Sequence, residues 1–204
     1  MKPNHKGRAQ LFENPILEKM TRTHIALPIS IFIIIAIGML YYGLMHSFIN
    51  LVQAIGFFVL GWLIFTLLEY LAHRYVFHME TDTPLKAKLQ YVFHGNHHEY
   101  PKDKKRLAMP PVVSLLYATM FFFIFELIFG QYVFGVVAGV LFGYAMYLFV
   151  HYIVHAYAPP KNFLKQLWIH HSIHHYKDPE VAFGVSSPLW DYLLGTMPKR
   201  SNKA

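Results

Sequence analysis

Ten of the 14 histidines in this 204-residue chain fall into four tight clusters: His73/His78, His94/His97/His98, His151/His155 and His171/His174/His175. As spacings these read HxxxxH, HxxHH, HxxxH and HxxHH. A lone histidine on an apolar face is usually a hydrogen-bonded core residue. Ten gathered together need another explanation, because each buried polar group without a partner costs roughly 1–3 kcal/mol. A bound metal supplies the partner, and neutral imidazole is among the commonest ligands of iron, zinc and copper. Ten donors exceed the roughly four to six positions around one such ion. The count points to two metals.

The clusters also repeat. His78, His94, His97 and His98 map onto His155, His171, His174 and His175 with one offset of 77 residues, whereas His73 maps to position 150, one short of His151. Each set follows two long apolar stretches, so the chain reads as a duplicated unit of helical hairpin, histidine pair and HxxHH.

On a helix, residues three and four apart share a face, so His151/His155 converge and each HxxHH presents its histidines together. His73 and His78 are five apart, about 140° around an ideal helix, and so either serve different ions or straddle a helix end. Gly95 and Asn96 weaken a helix through the first HxxHH, which is expected to be looser than the second. All-nitrogen ligation differs from the carboxylate-rich di-iron sites of ferritin-like bundles. Hydrolytic zinc usually has three protein ligands, so this saturated set fits zinc hydrolysis poorly. A dinuclear iron centre activating oxygen beside a lipid chain fits better.

The elements that position these residues are membrane-like. The chain is 55% hydrophobic and only 14% charged, against about 25% charged in average soluble domains. Four stretches, Ile25–Leu44, Leu51–Leu71, Val112–Phe129 and Tyr132–Val150, have about the 20 apolar residues a spanning helix needs, the last two meeting at Gly130-Gln131. All 18 Lys and Arg lie before His24, between Arg74 and Arg106, or after Ala156, and the links Tyr42–Asn50 and Gly130–Gln131 contain none. The positive-inside rule then places both termini and the middle loop in the cytoplasm, and every histidine cluster with them. The expected fold is all-α and integral to the membrane: four transmembrane helices as two hairpins with a cytoplasmic histidine-rich helical cap. It forms one domain over 1–204, with an interfacial segment at 1–24 and the cap at 72–111 and 156–204. A bacterial inner membrane is the expected location, with the endoplasmic reticulum as the alternative.

The net charge of +7 reflects orientation and anionic headgroups and needs no nucleic acid. No cysteine is present, which excludes disulfides, thiolate ligands and iron–sulfur clusters. The first apolar run is longer than a signal-peptide core and reads as a retained span. Leu11–Arg22 is expected as a short interfacial helix with Glu18 and Arg22 four apart, and Lys102–Arg106 as a solvated stretch beside the membrane.

The clusters resemble the fatty acid hydroxylase superfamily of membrane non-haem di-iron enzymes. The stretches Glu69–His78 (EYLAHRYVFH), His94–Pro111 (HGNHHEYPKDKKRLAMPP), His170–Thr196 (HHSIHHYKDPEVAFGVSSPLWDYLLGT) and LFENPILEKMTRT near the N-terminus look like its fatty acid 2-hydroxylase branch. The resemblance implies a monooxygenase with two iron ions and O2 as co-substrate; zinc, which binds nitrogen ligands more tightly than ferrous iron, is expected to replace iron in purified material. It implies hydroxylation at C2 of a fatty acid or a sphingolipid N-acyl chain. A related enzyme acting on a sterol, carotenoid or alkyl ether is the nearest alternative; a metal transporter fits less well, since its ligands would line a path near the bilayer midplane. Branch members often carry a fused cytochrome b5 domain, for which the residues before the first span are too few. Electrons are therefore expected from a separate cytochrome b5 or ferredoxin, docking near Lys102–Arg106. The branch also often has Asp where this chain has Leu148, which bears on the substrate.

Other residues carry weaker signals. Tyr144 and Tyr147 precede His151 by seven and four residues on one helical face and either line the acyl path or anchor the helix at the interface. Asp191 is expected to accept a hydrogen bond from a ligand imidazole or to serve a local turn. His170 either orients ligands or is solvated. Glu126 lies inside a span, near enough to its end to reach the interface. His5, His24 and His46 are read as ordinary.

Overall fold

The computed structural model describes residues 3–5, 7–8 and 10–199, and every regular element among them is helical. Lys2, Lys6, Arg200 and Lys203, part of the basic segments above, lie outside the described residues. The chain divides into two compact units, one of Gln10–Phe65 and Lys104–Phe149, the other of Met1–Ala9, Thr66–Asp103 and Val150–Ala204.

The first unit holds α1 (Pro15–Met20), α2 (Ala26–Met45), α6 (Pro111–Phe129) and most of α3 (Leu51–Leu71) and α7 (Val133–Ala156). Three helical runs among the described residues are long and apolar enough to cross a membrane: Ala26–Met45, Leu51–Phe77 and Pro111–Ala156. The third is folded back on itself. Gly130 ends α6 with φ 54° and ψ −131°, a conformation open to glycine. Beyond it Ser114 and Tyr144 approach to 3.2 Å, and the Phe122 and Phe134 rings to 6.2 Å. In one straight helix, 30 residues would extend about 45 Å, so α6 and α7 form an antiparallel hairpin.

Asn50 and Gln53 start α3 by capping each other: the Asn50 amide donates to Gln53 Oε1 (3.0 Å) and the Gln53 amide to Asn50 Oδ1 (2.9 Å). The centre of the unit is α7, whose Val136, Val137, Ala138 and Leu141 are buried, while Ile34, Val52 and Leu127 face outward. Such outward apolar side chains suit lipid. Helices α3 and α7 run parallel, Phe57 beside Tyr132 and Phe65 beside Tyr147. They touch through glycine: a Cβ on Gly139 would stand 2.0 Å from the Phe58 carbonyl oxygen, and one on Gly61 1.9 Å from that of Val136. Gly139→Ala is therefore expected to destabilise the chain by about 1–3 kcal/mol through overpacking. A lowered melting temperature in detergent measures it, with Gly38→Ala, whose added carbon meets nothing within 4 Å, unchanged as the control.

Two expectations are corrected in this unit. The N-terminal helix is six residues, Pro15–Met20, not Leu11–Arg22. Asn14 caps it through the Ile16 and Leu17 amides, and Glu18 folds back to accept from the Leu11 and Phe12 amides, holding those residues out of the helix. The expected Glu18–Arg22 pair forms at 2.8 Å. The basic run is also only partly solvated. In this unit Lys104 and Lys105 are exposed, but the Arg106 guanidinium is buried against Glu18.

The second unit contains the ends of α3 and α7, a π-helix at Ala72–Phe77, α4 (Pro84–Gln90), a second π-helix at Tyr91–Gly95, α5 (Asn96–Glu99), α8 (Lys165–Tyr176) and α9 (Leu189–Leu193). Thr83 caps α4 by accepting from the Lys86 amide, with Pro84 in the first turn, where its missing N–H costs nothing. All ten clustered histidines belong to this unit. Lys102 and Asp103 also belong here; Asp103 is buried and Lys102 Nζ donates to the His155 carbonyl, 2.8 Å away.

Candidate metal centre

The ten histidines resolve into two groups of five. The first is His73, His78, His94, His98 and His174; the second is His97, His151, His155, His171 and His175. Within each group one ring nitrogen per residue lies within 4.8 Å of all the others. The first group takes four members from the first repeat and His174 from the second, while the second takes four from the second repeat and His97 from the first. The middle histidine of each HxxHH, at i+3, is exchanged.

Local helix geometry explains the grouping. Along α8, and from the second π-helix into α5, positions i and i+4 of HxxHH stay together, while the i+3 residue sits far enough around the axis to reach the other group. His73 and His78 belong to one group, which sets aside different ions and leaves the pair straddling a helix end, His78 following the last helical residue, Phe77. The segment Ala72–Phe77 is a π-helix, and the His78 amide donates to the His73 carbonyl five residues back at 3.2 Å. A π-turn brings residues five apart onto one face. The first HxxHH crosses from the second π-helix into α5, whereas the second lies wholly within α8. Asn96 donates its side-chain amide to the Tyr91 and Val92 carbonyls at 3.0 and 2.8 Å, satisfying acceptors where the π-helix passes into α5. A Cβ at Gly95 would lie 2.9 Å from Gln90 Oε1.

The spacing of the nitrogens suits ions. His94 Nε2 lies 3.0 Å from His73 Nε2 and 2.9 Å from His98 Nε2. In the second group His97 and His151 approach to 2.9 Å and His155 and His171 to 2.7 Å, all through Nε2. Two nitrogens at right angles about one ion, each bonded at about 2.1 Å, stand about 3 Å apart. The groups adjoin each other, the His98 and His175 rings stacking with centroids 4.2 Å apart. Several buried ring nitrogens lack a hydrogen-bond partner among the described residues: His78 Nε2, His171 Nδ1, His174 Nε2 and both nitrogens of His175. Left unfilled, these are costly; a metal in each group removes that cost for the nitrogens that face it. The donor set fits two cations.

Electrostatics keep the imidazoles ready to bind. Burial lowers His78 to about 4, and burial with the charge of His78 lowers His174 to about 3 against the opposing hydrogen bond to Val181. Burial first and neighbouring imidazoles second hold His94, His97, His171 and His175 well below the ordinary histidine range. At neutral pH these rings are unprotonated, as ligation requires. The groups differ in access: His78 and His98 are partly exposed, whereas all five residues of the second group are buried.

Other expected residues are placed as follows. Asp191 is fully buried but accepts from His170 Nε2 at 3.0 Å, outside both groups, and from the Phe183 and Gly184 amides, both at 2.8 Å. His170 is accordingly buried, neither solvated nor in contact with a clustered imidazole through this bond. Tyr144 packs edge-on against Phe32 and hydrogen-bonds Ser114, and Tyr147 lies along Tyr144 with ring centroids 6.2 Å apart. Both are half-buried and pack against helices of the first unit, each beside Phe65. Glu126 is exposed near the end of α6. Sequence reasoning missed Glu69, which is buried and accepts from the Val185 and Ser186 amides at 2.7 and 2.8 Å and from the Ser186 hydroxyl. A carboxylate inside an apolar stretch four residues before His73 was the available signal.

Comparison with known proteins agrees with this geometry. The fatty acid hydroxylase family model matches residues 58–196. A ceramide very long chain fatty acid hydroxylase, scs7, of Schizosaccharomyces pombe is 36% identical over 205 residues, covering 96% of this chain and 57% of that protein. Fatty acid 2-hydroxylase of Rattus norvegicus is 41% identical over 147 residues, covering 70% and 40%. The chain thus spans about half the length of the curated relatives it matches. A solved structure described as full-length scs7p, with only the hydroxylase domain visible, superposes with a TM-score of 0.88 at 32% identity, over 97% of this chain and 75% of that one.

Proposed function

The chain belongs to the fatty acid hydroxylase family, and on that footing we propose that it hydroxylates C2 of a long acyl chain, as a free fatty acid or as the N-acyl chain of a sphingolipid. The observation that carries the reading is the division of ten histidines into two adjoining, five-nitrogen groups. We assign one iron to each group; when bound, the pair activates O2 so that one oxygen atom enters the C–H bond and the other leaves as water, consuming two electrons and two protons.

The chain's own residues do the rest. Ten imidazoles supply ligands without charge, so the ions keep theirs. Burial of the second group excludes water there, and the partly exposed His78 and His98 mark the first group as the more accessible. Tyr144 and Tyr147 share one face of α7 with His151 by helical register, and the proposal gives them the acyl path, with a hydroxyl for the carboxyl or amide end. Electrons come from a separate acidic carrier attracted to the exposed lysines of the Lys102–Arg106 run. That attraction should weaken in high salt as the charges are screened.

Mass spectrometry of acyl chains from cells expressing the protein with a cytochrome b5 or ferredoxin system tests this. The expected result is 2-hydroxylated chains that disappear without the donor and fall several-fold in Tyr147→Phe, which loses one polar contact of about 0.5–1.5 kcal/mol. Hydroxylation elsewhere on the chain, or on a sterol instead, would overturn the assignment.

The proposal also takes α2, α3, α6 and α7 as four membrane spans with every basic segment, and the histidine clusters with them, on the cytoplasmic side. The Thr23 amide donates to the Lys105 carbonyl at 2.8 Å, so the 104–106 segment lies beside the start of α2, and Ser47 follows its far end, about 30 Å along a 20-residue helix. Single cysteines at Ser47 and Lys104 in this cysteine-free chain are expected to label from opposite sides of the membrane. Labelling of both from one side ends the four-span arrangement.

A further inference from the structure

We propose that Glu69 and Asp191 are positioning residues for the first five-histidine group, clamping the segment Val181–Ser186 so that its carbonyls fix two of the five imidazoles. The proposal rests on the reading of that group as a metal site. His174 donates Nδ1–H to the Val181 carbonyl oxygen at 2.9 Å, and His73 donates Nδ1–H to that of Phe183 at 2.5 Å. Each bond fixes the tautomer and the ring plane, leaving Nε2 for an ion.

The two carbonyls flank Ala182, which is fully buried at φ 61°. A non-glycine residue holds this left-handed conformation only where its surroundings impose it. Here the surroundings are two carboxylates. Asp191 Oδ1 accepts from the Phe183 amide and, at 2.7 Å, from the Thr196 hydroxyl; Oδ2 accepts from the Gly184 amide and His170. Glu69 Oε1 accepts from the next two amides, Val185 and Ser186, and Oε2 from the Ser186 hydroxyl. Four consecutive amides are thus pinned. The Ala182 amide is held by the Thr196 carbonyl at 2.9 Å, and Gly184 admits no side chain, since a Cβ there would meet the Ser187 carbonyl at 2.1 Å. Burying two carboxylates is expensive unless their hydrogen bonds are filled. What the filled set fixes is the direction of two acceptors that hold His73 and His174.

A purely structural clamp would weaken both metal groups together, whereas a positioning clamp acts on the first alone. The full-length protein in detergent is loaded with Zn2+ and challenged with a chromophoric chelator. Wild type binding two zinc ions per chain tests the metal reading itself; fewer than two would refute that reading independently of the clamp. Glu69→Gln and Asp191→Asn are expected to release one zinc roughly ten-fold more readily and the other unchanged. In a His97→Ala background, which cripples the second group, Glu69→Gln should still loosen the remaining zinc. In a His174→Ala background it should have no effect. Equal weakening of both ions, no weakening, or an effect that persists in His174→Ala overturns the proposal. Should Glu69→Gln or Asp191→Asn fail to fold, Ser186→Ala, which removes only the hydroxyl bonded to Glu69, is read by the same criteria.

Discussion

His97→Ala is expected to empty the group built by the second repeat and to spare the group formed by its own neighbours. His97 stands between His94 and His98 in sequence, yet its Nε2 lies 2.9 Å from that of His151 and its ring 4.5 Å from that of His155. Losing one of five ligands outright should weaken that ion by more than about 100-fold, beyond the range seen when a hydrogen-bond partner of a ligand is removed. Metal content should fall from two ions per chain to one, and hydroxylation to background if both ions work together. Adding His171→Ala to His97→Ala should change nothing further, since both act on the same ion. Adding His94→Ala should take the count to zero. The mirror-image result is expected of His174→Ala, which removes the ion of the first group. A count that falls by sequence neighbourhood instead, with His97→Ala and His94→Ala acting on one ion, would refute the exchange.

Removing both metals should cost more stability than any single substitution. An ion held at a thousand-fold excess over its Kd contributes about 4 kcal/mol per site. In a chain of this size each kcal/mol moves the melting temperature by about 2–4 °C, so chelation should lower it by about 15–30 °C. Acid should act in the same direction. An unfolded imidazole titrates near 6.5, but His78 is lowered to about 4 and His174 to about 3 in the folded chain. As pH falls below 6.5 the unfolded chain takes up protons that the folded chain still refuses, so stability is complete above 6.5 and is lost progressively down to about pH 3. Thermal melts at fixed free zinc between pH 7.5 and 5 check the sign; a melting temperature that rises on acidification would contradict it.

The helices were legible because an apolar run of about 20 residues has few ways to exist other than as a helix in lipid. Their observed bounds differ from the sequence limits by a few residues, most at the end of α7, which continues through His155 to Ala156. The ten clustered histidines were legible because their spacings repeat. Their partition was not, since it depends on which face of α5 meets α7 and α8, a tertiary matter. The displaced His73 was the sequence trace of a structural event: one residue inserted into an α-helix makes a π-turn, and the π-helix at Ala72–Phe77 absorbs the residue that breaks the 77-residue offset. Glu69 was hidden for a different reason. Its place in an apolar stretch was a local signal, but its partners lie 116 and 117 residues away, and no local pattern identifies them. Asp191 was singled out, but it accepts from the imidazole of His170, and its role reaches the clustered histidines through the backbone of Phe183.

The exchange of His97 and His174 bears on how such a chain could have arisen. One repeat alone contains an HxxHH whose middle histidine points away from the other four. A solitary copy could complete its site only by facing a twin and trading that histidine with it, the self-complementary contact of a two-fold homodimer. Tandem fusion of the partners would keep the trade within one polypeptide and free the halves to diverge, as the one-residue difference between HxxxxH and HxxxH records. Mutual dependence would remain: deleting either half removes one whole site and leaves the survivor's site one ligand short.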